Sequence, residues 1–347
     1  MQQYATPVAS RNTQYVELKL LKEVETIQAL GKFGMMREHP QRNTNTVSFR
    51  RLDPFNMSST TGAPQITPAN FIYAEGTTPD ANTVDFTDVT VTLNNYDVLF
   101  KYSSDSALMY EDNIPDAMIR QTARVIAEIA ELVAYGQVKS GSSVIYANGS
   151  ARSSVNSKIT LPKLRQAVRA MSNNRATPVT SMIKAGPDFG TGTAPEGYIV
   201  FCSTDCSADI RDLPNFISKE AYGSAVKKLH NREIGVCEEF RFIVSPLFTP
   251  FLAGGAAIGT TGMLAADDTT LDVYPMVVMA EDAWGHVSLK GYGYSGVTPT
   301  HIRHDQKNHA NPAGKFGYVG AGFYYNSVRL NENWMQRIEA CVTDLDA

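Results

Sequence analysis

Residues 53–83 form a 31-residue stretch carrying Pro54, Pro64, Pro68 and Pro79 and rich in Thr and Ala, held between two segments that alternate like strands. Before it, Thr46–Leu52 sends Val47 and Phe49 one way and Thr46, Ser48 and Arg50 the other. Strict alternation of this kind marks a half-buried strand. After it, Val84–Tyr102 first puts Val89, Val91 and Leu93 on one face, then Tyr96, Val98, Phe100 and Tyr102. The parity slips by one at Asn94–Asn95, as a bulge or bend would make it. A structureless loop of that length is uncommon inside a compact domain. The pattern therefore predicts a long hairpin whose loop protrudes. A mobile surface loop and a contact arm both fit it.

The strongest helical pattern runs from Asn113 to Val138. Asp112 or Asn113 can cap it, and Pro115 falls in the first turn, where its missing N–H costs nothing. Met118, Val125, Ile129 and Leu132 form the apolar stripe, broadened by Ile119, Ile126 and Val133. Arg120, Arg124, Glu128 and Glu131 supply the charged positions. At 1.5 Å per residue such a helix is roughly 37 Å long and needs a sheet or several neighbours along it. A second amphipathic helix is expected over Leu161–Ser172, with Thr160 as N-cap and Leu164, Val168 and Met171 inside. Tyr15–Leu30 has helical spacing through Val16, Leu20, Val24 and Ile27, stopped by Gly31 and Gly34. It is either a first helix or part of an arm on a neighbouring chain.

Strands are expected at Ile145–Ala147, Tyr198–Cys202, Glu239–Val244 and Tyr274–Ala280, and extended structure over Phe316–Leu330, where Gly317, Gly320 and Gly322 allow twist or close approach. Asn331 is expected to cap a last helix carrying Trp334, Met335 and Ile338. The sum is an α+β chain with one dominant helix and non-consecutive sheets.

Lys and Arg total 31 against 35 Asp and Glu, a formal charge of −4. That balance argues against a dedicated nucleic-acid reader, which carries a basic face, and leaves room for loose contact with DNA. The four cysteines do not make a disulfide framework, and a reducing cytoplasm is the simpler expectation. Met1–Ser10 lacks the layout of a signal peptide. Ser245–Ala266 is uncharged but interrupted by Pro246, Pro250 and four glycines, so a strand end and flexible loop are expected in place of a membrane span.

Catalytic and cofactor motifs are weak. Gly291, Gly293 and Gly296 fit G-x-G-x-x-G, but Val297–Thr300 with Pro299 opposes the helix that a phosphate site needs. His301, His304 and His309 with Asp305 have metal-compatible spacing, yet Arg303 and Lys307 sit among them and loop histidines are expected. Cys202 and Cys206 suit small buried apolar positions. Asp205, Asp209 and Asp212 lie near one helical side with Arg211 between, and a solvated or intersubunit salt-bridge face is expected there. No catalytic, metal or cofactor residue is assigned.

The order of these pieces resembles the major capsid proteins of tailed double-stranded DNA phages with the Hong Kong 97-like fold. The residues carrying the resemblance are Asn45–Arg51, entering the loop; Arg175–Pro178, Asp209–Pro214 and Glu233–Val236 in the middle; Asp272–Pro275 and Ala283–Gly291; and Gly317–Gly320 with Leu330–Met335 near the end, taken for the family's C-terminal strand and helix. They are collinear over residues 45–338 and look most like the N-four-like podovirus branch.

The resemblance implies an N-terminal arm at 1–44 and an extended loop with its flanking strands at 45–103. It implies a peripheral domain at 104–185 and 300–347 with the spine helix at 114–138, and an axial domain at 186–299. It further implies homo-hexamers and homo-pentamers closing an icosahedral head around the genome in the host cytoplasm. The partners it implies are a portal protein, a separate scaffolding protein and a possible decoration protein, with no membrane, cofactor or enzymatic activity. Phe49, Arg50, Arg51, Phe71 and Tyr73 in the loop, and Arg211 with Asp212 in the axial domain, are the candidate intersubunit contacts. An encapsulin-like nanocompartment shell, another virion structural protein and a soluble enzyme are the alternatives.

Overall fold

The computed structural model describes residues 28–53, 55, 66–78, 81–109, 113–179, 183–184, 192–193, 197–221, 230–259, 262–291, 296–307, 309 and 311–345. The helix expected over Tyr15–Leu30 lies almost wholly outside them. Along the chain the first half holds β1 (Met35–His39), β2 (Thr46–Leu52), β3 (Phe86–Thr92), β4 (Asn94–Ser103), α1 (Ser104–Met109), α2 (Ile114–Lys139), β5 (Val144–Tyr146), α3 (Leu161–Asn173), β6 (Ile183–Lys184) and β7 (Gly192–Thr193). The second half holds β8 (Tyr198–Ser203), α4 (Ser207–Arg211), β9 (Phe216–Ser218), β10 (Glu233–Cys237), β11 (Phe240–Ser245), β12 (Tyr274–Met279), β13 (Trp284–Leu289), β14 (Val297–Ile302), β15 (Phe316–Arg329) and β16 (Met335–Ala340). Contacts group the chain into two units, one of residues 1–47, 91–136 and 285–328, the other of residues 48–90, 137–284 and 329–347.

The first unit is a sheet under a helix. Its strands run β1-β13-β15-β14, with β4 also bonded to β15. Helix α2 begins where the sequence puts it: Pro115 is in the first turn and Asn113 Oδ1 accepts from Asp116 N at 3.3 Å. The buried face is turned by about one residue from the expected stripe. Ile119, Ala123, Ile126 and Ala130 pack with Tyr102, Val319, Ala321 and Phe323, while Leu132 is exposed. Alanines at the contact let the helix axis approach the sheet. A side chain at Gly317 would overlap the Tyr102 ring and one at Gly320 would overlap the backbone of β4, so both glycines permit that close pairing.

Glu131, expected at a charged surface position, is instead fully buried. Its carboxylate accepts the backbone N–H of Ala29 at 3.1 Å and of Leu30 at 2.9 Å. A buried carboxylate is tolerated when its oxygens are satisfied, and here they are satisfied by the backbone just ahead of β1. Ala29 and Leu30 are fully buried beside it.

The second unit is built on a mixed sheet ordered β5-β16-β12-β8-β11-β10-β9. Strands β8, β12 and β16 are buried along their whole length. Helix α3 covers this core with Leu161, Leu164, Ala167 and Met171. The last helix expected from the sequence is not there. Asn331 does cap a turn, its Oδ1 accepting from Asn333 N at 3.2 Å, but the turn is a single 3-10 turn and the chain continues as β16. Its Arg337 and Glu339 are buried because each has a partner. Glu339 takes a two-pronged bond from Arg152 at 2.8 Å on each oxygen and an ion pair with Arg337 at 2.8 Å. Arg337 also donates to the carbonyls of Lys139 and Gly141, and Arg329 donates to Gln137 O at 2.9 Å. These arginines satisfy carbonyls at the C-terminal end of α2 that no helical N–H can reach.

Lys139 joins the same cluster, donating to Thr249 O at 2.8 Å and Pro250 O at 3.1 Å, with its ammonium 4.1 Å from the Phe251 ring centre. Burial, then the charges of Arg152 and Arg337, hold its pKa below the usual lysine value. Asp209 is a further correction. It is buried in place of facing solvent and accepts from Thr343 N at 2.9 Å and Thr343 Oγ1 at 2.6 Å, with Lys158 at 3.4 Å.

Glu131→Gln replaces a charged acceptor of two buried N–H groups. It is expected to lower the stability of the chain by about 1–3 kcal/mol in urea unfolding and to speed trypsin cleavage at Lys32. An unchanged midpoint and cleavage rate would contradict this role.

Candidate assembly surface

The hairpin is formed by β2 and β3, which pair as a sheet of their own. Strand β2 spans the residues expected from its alternation, with Val47 and Phe49 buried and the intervening positions exposed. The parity slip after Thr92 is larger than a bulge. β3 pairs with β2, whereas β4 leaves to pair antiparallel with β15, so the slip marks where the chain changes sheets. Leu93 sits buried at that point, its N–H donating to Asn45 O at 2.8 Å.

Side chains lock the base of the loop. Arg50 donates to Asp88 through two parallel bonds of 2.7 and 2.8 Å and lies 5.8 Å from the Phe86 ring centre. The hydrogen bonding raises the Arg50 pKa and lowers that of Asp88. Arg51 donates to Asp53 Oδ1 at 3.2 Å and to Leu330 O at 3.1 Å, and Thr87 Oγ1 donates to Asp53 Oδ2. Asp53 N donates to Asp85 O at 3.0 Å, which carries the pairing one step past β2.

Beyond this base, residues 66–78 are exposed throughout. A 3-10 turn at Pro68–Phe71 is held by Asn70 N to Thr67 O at 3.0 Å, and a second turn by Thr77 N to Ala74 O at 3.1 Å. Phe71, Ile72 and Tyr73 are 44%, 79% and 41% exposed. Ile66, Leu52, Val84 and Phe86 add further exposed apolar surface. Single exposed apolar residues are ordinary, but a run of them concentrated in one segment marks an interaction site.

The candidate contacts divide between elements. Phe71 and Tyr73 are exposed and Arg50 is largely so, while Phe49 is covered by its own chain. Arg51 is half-exposed. Arg211 ends α4 and is exposed, and Asp212 is exposed with Lys158 at 3.8 Å. Sequence reasoning missed β1, which pairs in parallel with β13 and exposes Met35 and Met36. Its only local signal is a pair of methionines behind Gly34, since neither face alternates.

After Gly296 the chain enters β14, a strand, so the G-x-G-x-x-G pattern has no helix N-terminus to offer phosphate. His301 lies on β14, where burial and Arg303 depress its pKa, and His304 meets the Tyr102 ring edge-on at 6.3 Å. Among the described residues no three His, Cys, Asp or Glu side chains are placed to hold a metal. Cys202 and Cys206 are buried free thiols whose pKa values burial pushes up. Among the described residues no helix is long and apolar enough to cross a membrane.

No protein-family model matches the chain, and no curated protein matches it. Solved structures do. The capsid of Ralstonia phage GP4 matches at a TM-score of 0.62 with 12% identity, over 94% of this chain and 89% of that one. The head structure of Helicobacter pylori bacteriophage KHP40 matches at 0.59 with 10% identity, over 88% and 87%. The capsid of cyanophage P-SCSP1u matches at 0.55 with 10% identity, over 91% and 89%. The chain therefore has the Hong Kong 97-like fold of tailed-phage capsids, matched along nearly its full length.

Because the Arg50–Asp88 pair is solvent-exposed on both sides, screening leaves it little weight in subunit stability. Arg50→Ala is expected to leave the melting temperature of the isolated chain unchanged within error. A fall of several degrees would show that the pair holds more than the loop base.

Proposed function

We propose that this chain is the major capsid protein of a tailed phage, assembling through hexamers and pentamers into the icosahedral head that encloses the double-stranded DNA genome. The observation that carries the reading is the exposed apolar run at 66–78 on a chain with a phage-capsid fold. Fully burying a side chain the size of Phe or Ile stabilises by roughly 1.5–3 kcal/mol. In the subunit Phe71, Ile72 and Tyr73 realise little of this. A lattice in which each loop lies on a neighbour recovers it at every copy, so weak contacts sum. The near-neutral charge suits a shell lining that must not grip packaged DNA.

In this reading residues 1–44 are the N-arm and 45–103 the extended loop. Residues 104–185 with 300–347 form the peripheral domain, and 186–299 the axial domain. Arg50, Arg51, Phe71 and Tyr73 contact a neighbour from the loop, and Arg211 with Asp212 from the axial domain. Phe49 supports the loop from inside its own chain. The role is structural and not enzymatic, in the virion after assembly in the host cytoplasm. The further partners are a portal protein, a separate scaffolding protein, a decoration protein in some heads, and packaged DNA in loose contact. The N-four-like podovirus branch is the placement the sequence motifs favour. No observation favours the encapsulin-like alternative.

Electron microscopy and light scattering of the chain, expressed with neighbouring phage genes, are expected to show closed shells. The triple variant Phe71→Ser, Ile72→Ser, Tyr73→Ser is expected to keep the subunit's melting temperature and to lose shells. A chain that stays monomeric or dimeric in every such expression would overturn the reading.

A further inference from the structure

Strand β1 is the barest strand of its sheet. Among the described residues it sits at the sheet's end, bonded in parallel to β13 from Met35 opposite Gly285 to His39 opposite Leu289. Met35, Met36, Arg37 and Glu38 are all exposed. Parallel strands are ordinarily covered on both faces, and an open strand edge is a template for another chain. Successive side chains on a strand point to opposite faces, so Met35 and Met36 offer apolar surface on both. The charge around them is basic: Lys32, Arg37 and Arg42 are exposed, with Glu38 as the one carboxylate from Gly31 to Thr44.

The loop has the opposite character. From Leu52 to Phe100 there is no Lys, Arg or His, and there are six carboxylates, Asp53, Glu75, Asp80, Asp85, Asp88 and Asp97. Glu75 is exposed two residues beyond the exposed ring of Tyr73. Aromatic rings pack well against thioethers, and complementary charge steers and registers an encounter. One segment thus carries rings and a carboxylate, and the other carries thioethers and a guanidinium.

Resting on the reading of the chain as a shell subunit, we propose that residues 71–75 of one copy dock along β1 of a second copy, with Phe71 and Tyr73 against Met35, Glu75 towards Arg37 on that same face, and Ile72 towards Met36 on the other. Each copy then gives one loop and receives one. A head-to-tail contact of this kind closes into rings when its rotation allows. The arm root that receives the loop is the segment fixed to α2 through Glu131, so the docking site is held by the subunit core.

The test is a chain carrying Met36→Cys and Ile72→Cys, assembled with the same neighbouring genes, oxidised and run on a non-reducing gel. The four native cysteines are buried and do not interfere. A ladder of covalent oligomers is expected from the pair and not from either single variant. Shells without a ladder would overturn the docking and leave the shell reading standing, whereas absence of shells from the wild-type chain would remove both. As a second arm, Arg37→Glu and Glu75→Arg are each expected to lower shell yield about fivefold, as loss of one exposed charge pair would, and the double variant to restore it. Two low-yield single variants with no recovery in the double would overturn the pairing.

Discussion

A set of apolar side chains that this chain does not itself bury sets the terms for the rest of its structure. Residues 66–78 present Ile66, Phe71, Ile72 and Tyr73 to solvent with two local turns as their backbone support. Ordering a backbone residue costs about 1–2 kcal/mol of entropy, and turn hydrogen bonds return little of that in water. Such a segment holds a fixed shape only when something covers it. The rest of the molecule supplies a rigid base for it: the β2–β3 ladder, the Arg50–Asp88 fork and the bonds of Arg51.

The same logic recurs at the other extended parts. The segment ahead of β1 is held where Glu131 accepts two backbone N–H groups, and β1 itself pairs with β13. The C-terminal end of α2 is tied by Arg329 and Arg337, which donate to the carbonyls of Gln137 and Gly141, and by its own Lys139, which donates to Thr249 O. The C-terminal segment is tied by Asp209 through Thr343. Buried charges are costly unless paired or hydrogen-bonded, and each of these sits where a long or terminal element must be fixed. They lend less net stability than definition, holding arm, helix and tail in one position each.

Much of this was legible in the sequence where the signal is local. Strand β2, helix α2 and helix α3 follow from alternation, capping and 3.6-residue spacing, and their ends fall within a residue or two of expectation. The collinear motifs pointed to the fold that the solved capsids share. The failures were non-local. Residues 335–340 look helical because Arg337 and Glu339 break the apolar alternation, and partners far back in the chain, Arg152 for Glu339 and the carbonyls of Lys139 and Gly141 for Arg337, make them acceptable inside a sheet. Glu131 and Asp209 looked like surface charges for the same reason, since their partners are 101 and 134 positions away. Strand β1 was invisible because it is exposed on both faces and paired with a strand near the other end of the sequence. The exposure of Phe71 and Tyr73 was inferred from their place in the loop, while the covering of Phe49 needed the structure.

The central claim is that the loop is ordered by neighbours and not by its own chain. Hydrogen exchange at residues 66–78, compared between unassembled subunits and closed shells, tests it most directly. The account predicts near-unprotected exchange in the subunit and marked slowing in shells, while β8 and β12 stay protected in both. A loop already protected in the subunit, or equally fast in the shell, would contradict it.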